Sequence, residues 1–293
     1  MKLYFNLLIL AAMWGGSFLF LRISSPEFGP IALIFVRTGI AALVLIPFVL
    51  AAKQMSLILT HWLQFVFLGV TSTAIPFTLF AYTSLYLPAG LTSILNATTP
   101  FFGAVAAFYF LNERLGVMGG LGLAIGFLGV YLLSAFSHGG SDAAGIWPVV
   151  SALVATFLYS ISSVYVKLKM NQLQPLTVAA GSQLFSAAFL FPMAIVFWPA
   201  EMPGALAWGS TLAMGVFSTA LSLVIFFRLL QTEGVTKSIA VTYLIPVFGV
   251  LWGALFLGES ITHIMVVGGI LVLIGVSFTS GTFNFLVAKQ KAN

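Results

Sequence analysis

Residues 100–113 read PFFGAVAAFYFLNE, and residues 246–259 read PVFGVLWGALFLGE. A shift of 146 positions lays Pro100, Phe102, Gly103, Phe110, Leu111 and Glu113 on Pro246, Phe248, Gly249, Phe256, Leu257 and Glu259. The same shift carries Gly69, Ser72, Thr73 and Ala74 onto Gly215, Ser218, Thr219 and Ala220, and Gly122 and Gly129 onto Gly268 and Gly275. A shift of 145 matches Ser17 with Ser162, Arg22 with Lys167, Pro30 with Pro175 and Pro47 with Pro192. Self-similarity at one offset marks a duplicated unit, and it governs the fold. The first copy is read as residues 1–140 and the second as 141–293.

The surroundings of these strings say where the chain lives. Of its 293 residues, 61% are hydrophobic and 6% charged, against roughly 25% charged in soluble domains. So few charges cannot coat a water-facing globule, so the exterior must face lipid. Crossing about 30 Å of hydrocarbon takes about 20 apolar residues per helix. Ten such runs fit: Leu3–Leu21, Pro30–Ala51, Trp62–Leu85, Pro88–Leu111, Gly116–Phe136, Ile146–Val166, Pro175–Trp198, Ala207–Leu230, Lys237–Leu257 and Ile261–Gly281. The expected fold is therefore an all-α integral membrane protein of ten transmembrane helices. The basic start before the first run resembles a signal peptide, but that run is long and belongs to the repeat. A net charge of +5 is too sparse for a nucleic-acid footprint, and no nucleic-acid partner is expected. Without cysteine, disulfides and thiolate metal sites are excluded; no metal or cofactor is expected.

Five helices per unit is an odd number, so the two units enter the bilayer in opposite senses. Charge placement gives the orientation. With the N-terminus in the cytoplasm, Lys2, Lys53, Arg114, Lys167, Lys169, Arg228, Lys237, Lys289 and Lys291 all lie inside, as the positive-inside rule requires. Both termini are then cytoplasmic. Two inverted repeats around an axis in the membrane plane are the architecture of many secondary transporters, with the cargo site near the midplane.

Candidate cargo residues follow from what is costly at that depth. Pro100 and Pro246 interrupt the fourth and ninth helices and free the carbonyls of Asn96 and Thr242, so both prolines are candidate hinges. A freed carbonyl in hydrocarbon must face protein, water or ligand. Asn96 and Thr99 are read as one wall of a central cavity, with Thr242 at the equivalent place in the second half and Tyr243 beside it; a packing kink satisfied by a neighbouring Ser or Thr is the competing reading. Trp14, Ser17 and Phe18 share a face of the first helix, and their counterparts include Tyr159 and Ser163. Aromatics with a polar handle suit an amphipathic solute; plain core packing is the competing reading, strongest for Phe18. Tyr82 is a further candidate of this kind. Arg37 is the basic residue well inside a helix, and intramembrane charges signal function by default. It could bind a substrate carboxylate or a lipid phosphate, or reach the outer interface. No acidic residue occupies mid-span, so either transport is uncoupled or coupling runs through carbonyls or a helix-end acid such as Glu113 or Glu259. Gly122 and Gly126 form a GxxxG pair, which could pack within the fold or form the face of a homodimer.

The proline-to-glutamate strings, the paired glycines, Trp14-Gly15 with Ser17, and Arg37 together resemble the drug/metabolite transporter superfamily, in its EamA-like branch. The resemblance covers essentially the whole chain. It implies ten helices, cytoplasmic termini, a plasma-membrane location (the inner membrane of a bacterium) and alternating access by the two halves. It also implies a small organic cargo, an amino acid, aromatic ones included, or a related metabolite or drug, usually exported. A multidrug or nucleotide-sugar-like carrier is the alternative within that class. Trp14 stands where small multidrug-resistance relatives carry a membrane glutamate, so proton-coupled cation export on their pattern is not implied. An enzyme is the rival class, but neither an HExxH motif nor a histidine base in the middle of a span is present, and no enzymatic activity is expected.

Overall fold

A computed structural model describes residues 2–111, 116–136, 145–233 and 241–279. Glu113, Arg114, Lys237 and the basic tail lie outside the described residues. Within them, eight helices are long and apolar enough to cross a bilayer, and two more, Val241–Leu257 and His263–Thr279, are apolar and 17 residues long. This is the all-helical, ten-span membrane fold. Large apolar side chains cover its outside, among them Leu43, Tyr131, Ile195 and Leu255, as lipid contact requires.

The two halves are related by an exchange of partners. The first helix (Lys2–Phe28) packs on the ninth (Val241–Leu257), while the sixth (Trp147–Lys169) packs on both segments of the fourth. The third packs on the sixth as the eighth packs on the first. The second (Pro30–Ala51) pairs with the seventh (Pro175–Val196), and the fifth (Val117–Phe136) with the tenth (His263–Thr279). One end of the bundle, here called the Glu259 end, gathers the close of the first helix and the start of the eighth. There Glu27 accepts from Gly204 N at 2.6 Å and Ser24 Oγ donates to Ala207 O at 3.2 Å. The third helix of the first half ends where its counterpart, the eighth, begins. The halves are inverted.

Several elements differ from the sequence reading. The first helix does not stop at Leu21 but runs through Pro26 to Phe28. Ser24 and Ser25 are buried in it, and Phe28 is wedged against Trp198 and Trp208, with ring centroids 6.4 and 4.9 Å away. That packing outweighs the turn-forming composition. A short helix, Met55–Thr60, occupies the connection before the third helix. The third helix runs as Trp62–Gly69, a π-helical stretch Val70–Ala74, then Ile75–Tyr86; the eighth runs as Ala205–Ala213, a π-helical stretch Met214–Leu221, then Ser222–Glu233. Under the 146-residue shift the first π stretch falls within the second.

The expected proline hinges are not alike. The fourth helix breaks, into Ala89–Asn96 and Thr99–Leu111, and Pro100 sits in the first turn of the second segment. There a proline is tolerated, because the N–H it lacks has no helical partner. The ninth helix continues unbroken across Pro246. At the break Thr99 Oγ1 donates to the carbonyl of Asn96 at 2.7 Å, which satisfies one of its two lone pairs.

The glycine stripe serves packing between spans. A Cβ at Gly122 would lie 2.6 Å from the carbonyl oxygen of Gly275, and one at Gly275 equally close to that of Gly122. The fifth and tenth helices therefore touch backbone to backbone. The GxxxG face is consumed inside the chain rather than presented to a second copy.

Candidate functional site

The helices converge on a buried cluster around Arg37. The second helix carries Arg37 into the protein interior, where it is 4% exposed. Its Nε donates to Thr219 Oγ1 at 3.0 Å, and its guanidinium lies over the Phe77 ring at 4.0 Å. Among the described residues no carboxylate forms a salt bridge with it.

The eighth helix brings this about. Widening of the backbone in its π stretch lets Thr219 Oγ1 donate to Met214 O, five residues back, at 3.0 Å, while its lone pairs stay available to Arg37. A Cβ at Gly215 would meet Ile40 Cγ2 at 2.8 Å and Arg37 O at 3.1 Å, so glycine permits the second helix to come this close. One turn on, Ser222 Oγ accepts from Trp14 Nε1 at 2.9 Å. Ser218 Oγ donates to Met13 O at 2.7 Å. The Ser-Thr pair thus fastens the first and second helices to one stretch of the eighth. Single-turn π distortions recur at functional sites in helices.

Aromatic rings close the cluster. Phe77 and Phe80 from the third helix lie 6.2 and 6.0 Å from Tyr159, and Phe18 meets Phe80 at 5.8 Å. Phe226 tilts against Trp14 at 5.2 Å. On the sixth helix Ser163 is exposed, although it sits roughly 120–180° around the helix from the exposed Val154, Phe157 and Leu168, at 3.6 residues per turn. Ala152 and Met170, on its own side of the helix, are buried. Ser163 lies one turn from Tyr159, and its hydroxyl donates to the Tyr159 carbonyl at 2.8 Å. Phe18, at the equivalent place in the first half, is buried. One half fills this position and the other leaves it open.

Of the residues expected from sequence, Arg37, Tyr159, Phe18 and Trp14 are linked through this cluster. Ser17 is buried on the Trp14 face, and Ser163 lies one turn from Tyr159. Asn96 and Thr99 border the sixth helix instead, where Ser160 Oγ donates to Thr99 O at 2.9 Å. Thr242 and Tyr243 are half-buried on the ninth helix, Tyr243 against the main core. Tyr82 is not brought in: it faces away from Phe80 and pairs with exposed Tyr86 at 5.1 Å. Thr219, Ser222, Phe77 and Phe80 were not singled out from sequence. For Thr219 the signal existed, in the Gly-x-x-Ser-Thr-Ala string common to both copies.

The halves differ in charge. The position equivalent to Arg37 is Ser182, and that equivalent to Thr219 is Thr73; here Gln183 Nε2 reaches Thr73 and Ser182 hydroxyls at 3.4 Å each. One half contributes a cation and the other only neutral dipoles.

Comparison with known proteins bears on what this cluster serves. The sequence profile of the EamA-like transporter family matches residues 1–135 and again 146–281. The chain belongs to the EamA-like transporter family. Similar relatives include the uncharacterized transporter YoaV of Bacillus subtilis (strain 168), 24% identical over 97% of this chain and 98% of the relative. Another is an uncharacterized transporter of Archaeoglobus fulgidus, 26% identical over 94% and 98%. A probable terminal-alkyne amino-acid exporter of Streptantibioticus cattleyicolor is 27% identical over 71% and 69%. A solved crystal structure shares the fold with a TM-score of 0.69 at 20% identity, covering 98% of both chains. This EamA-family chain is a multi-pass membrane transporter of the drug/metabolite superfamily, not an enzyme.

Proposed function

We propose that the protein exports an amino acid or a closely related small organic acid, with Arg37 receiving its carboxylate. The observation that carries this reading is the buried guanidinium with no acidic partner among the described residues. Burying a charge is costly unless it is paired. A chain that keeps an arginine there, held by one threonine and a ring face, has a use for a transient anion. A cargo carboxylate completes the pairing, and the planar fork of arginine suits it. Phe77, Phe80, Tyr159 and Trp14 would take an apolar or aromatic side chain, with exposed Ser163 one turn from Tyr159. The single cation among the pseudo-equivalent positions suits one carboxylate rather than two. The exporter of a terminal-alkyne amino acid among the relatives supports the same cargo class.

Alternating access follows from the inverted halves, residues 1–140 rocking against 141–293 about the Arg37 cluster. The Glu259 end faces outside and both termini are cytoplasmic, in the inner membrane of a bacterium; the supporting observation is the lysine and arginine bias. Counterflow of radiolabelled amino acids in proteoliposomes tests the reading. Arg37→Gln should raise KM about a hundredfold for carboxylate-bearing cargo, as expected when a buried charged contact is lost, while Arg37→Lys retains part of the transport. Wild-type KM in Arg37→Gln would remove the argument.

A further inference from the structure

A cleft of about 470 Å³ opens at the Glu259 end between Arg22, Pro26, Leu85, Pro88, Leu257 and Glu259. It holds a cation and an anion that do not pair with each other. Arg22 NH1 donates to the carbonyls of Ser84 and Leu85, at 2.7 and 2.8 Å, in the last turn of the third helix. Glu259 accepts from Ala89 N on one oxygen at 2.7 Å and from Gly90 N on the other at 3.2 Å, at the start of the fourth helix. Each charge is tethered to backbone on its own side of the Leu87–Pro88 link. The cleft between them is walled by two prolines and two leucines.

We propose that this cleft is a second solute site, selective for a zwitterionic α-amino acid. Its carboxylate would lie on the Arg22 guanidinium and its ammonium on Glu259, with an apolar side chain against Leu85, Pro88 and Leu257. The proposal rests on the amino-acid reading above but uses none of the residues around Arg37. Arginine has five donors, and NH1 supplies two, so Nε and the second amino group remain as a fork for a carboxylate. The Glu259 carboxylate has about four lone-pair sites, of which the two amides occupy two. Backbone tethers pre-order both side chains and lower the entropic cost of binding. Apolar walls strengthen both ion pairs over their value in water. A solute with one charge would leave the opposite partner unmatched, and that gives the selectivity.

If Arg22 and Glu259 merely clamp the link between the third and fourth helices, no solute binds there. Equilibrium binding of radiolabelled L-leucine to the purified full-length Arg37→Gln chain separates the two. We expect this variant to retain saturable binding. Adding Arg22→Gln or Glu259→Gln should weaken it about tenfold or more, as loss of a charge-assisted contact implies. The charge-retaining Arg22→Lys and Glu259→Asp should weaken it less. Should the double variants fail to fold, competition on Arg37→Gln alone decides. Leucinamide and 4-methylpentanoate, each lacking one charge, should then compete about tenfold more weakly than leucine. Equal competition by the three, indifference to changes at Arg22 and Glu259, or no leucine binding to Arg37→Gln overturns the site. Binding to wild type that vanishes in Arg37→Gln overturns the second site while leaving the central one standing.

Discussion

Replacing Thr219 by valine isolates the contact that sets Arg37 in place. Valine nearly matches threonine in shape but removes the oxygen that accepts from Arg37 Nε at 3.0 Å. Arg37 is 4% exposed, so no bulk water replaces the lost acceptor. Hydrogen bonds to charged groups contribute about 1.5–3 kcal/mol. A loss of about 2 kcal/mol corresponds to roughly thirtyfold in an equilibrium constant. The same substitution deletes the bond from Thr219 Oγ1 to Met214 O, loosening the π stretch that brings Arg37 and Trp14 to one helix. Thr219→Val should therefore raise the KM for amino-acid counterflow between about ten- and a hundredfold, and lower the melting temperature of the purified protein. Thr219→Ser keeps the oxygen and should stay close to wild type in both. Equal KM values for the valine and serine variants, both matching wild type, would refute the positioning role. A fall in melting temperature with unchanged KM would show that Thr219 serves the scaffold and not the guanidinium.

Other perturbations test separate parts of the structure. Gly122→Ala places a methyl against the Gly275 carbonyl, where the backbone cannot yield cheaply, and should cost about 1–3 kcal/mol of stability with little change in KM; thermal unfolding of the purified variant measures it. Trp14→Phe keeps an aromatic ring, smaller than the indole, but loses the bond to Ser222, about 1 kcal/mol, and should weaken cargo affinity by several-fold in the counterflow assay. Tyr82→Phe should leave transport unchanged, since Tyr82 lies outside the Arg37 cluster; a marked loss of flux would mean that the cluster as drawn omits part of the cargo path. The chain has no native cysteine, so Lys53→Cys and Glu201→Cys can be labelled with a membrane-impermeant maleimide on intact cells. Labelling of Glu201→Cys alone supports the proposed orientation, and equal labelling of both contradicts it.

Much of the scaffold was legible because it rests on local composition and on one offset. Apolar runs of a given length must cross a bilayer, and five of them per repeat must invert the second copy; no tertiary knowledge is needed for either. Arg37 and Trp14 were also legible, since a charge or an indole at such depth needs a reason wherever its neighbours lie. The fate of Pro100 and Pro246 was not. Both prolines stand in apolar runs with the same spacing to a glutamate, yet one lies at a helix break and the other inside a continuous helix. Sequence position cannot tell which of the two finds its backbone partners, because a neighbouring hydroxyl such as that of Thr99 decides it. The end of the first helix failed for a similar reason, as Ser-Ser-Pro reads as a turn until Phe28 is seen between Trp198 and Trp208.

By itself, then, the sequence determined the solvent, the number of crossings, the inversion and the residues too costly to bury without purpose. Those follow from transfer free energies and chain geometry, which act residue by residue. Which of the costly residues meet was decided by tertiary structure alone. Thr219 reaches Arg37 because a π stretch turns it toward a helix 182 positions away in sequence, and Tyr82 is turned from Phe80 by its place on the same helix. Such meetings depend on the rotation of each helix within the bundle. Packing against several neighbours at once fixes that rotation, and no single segment encodes it.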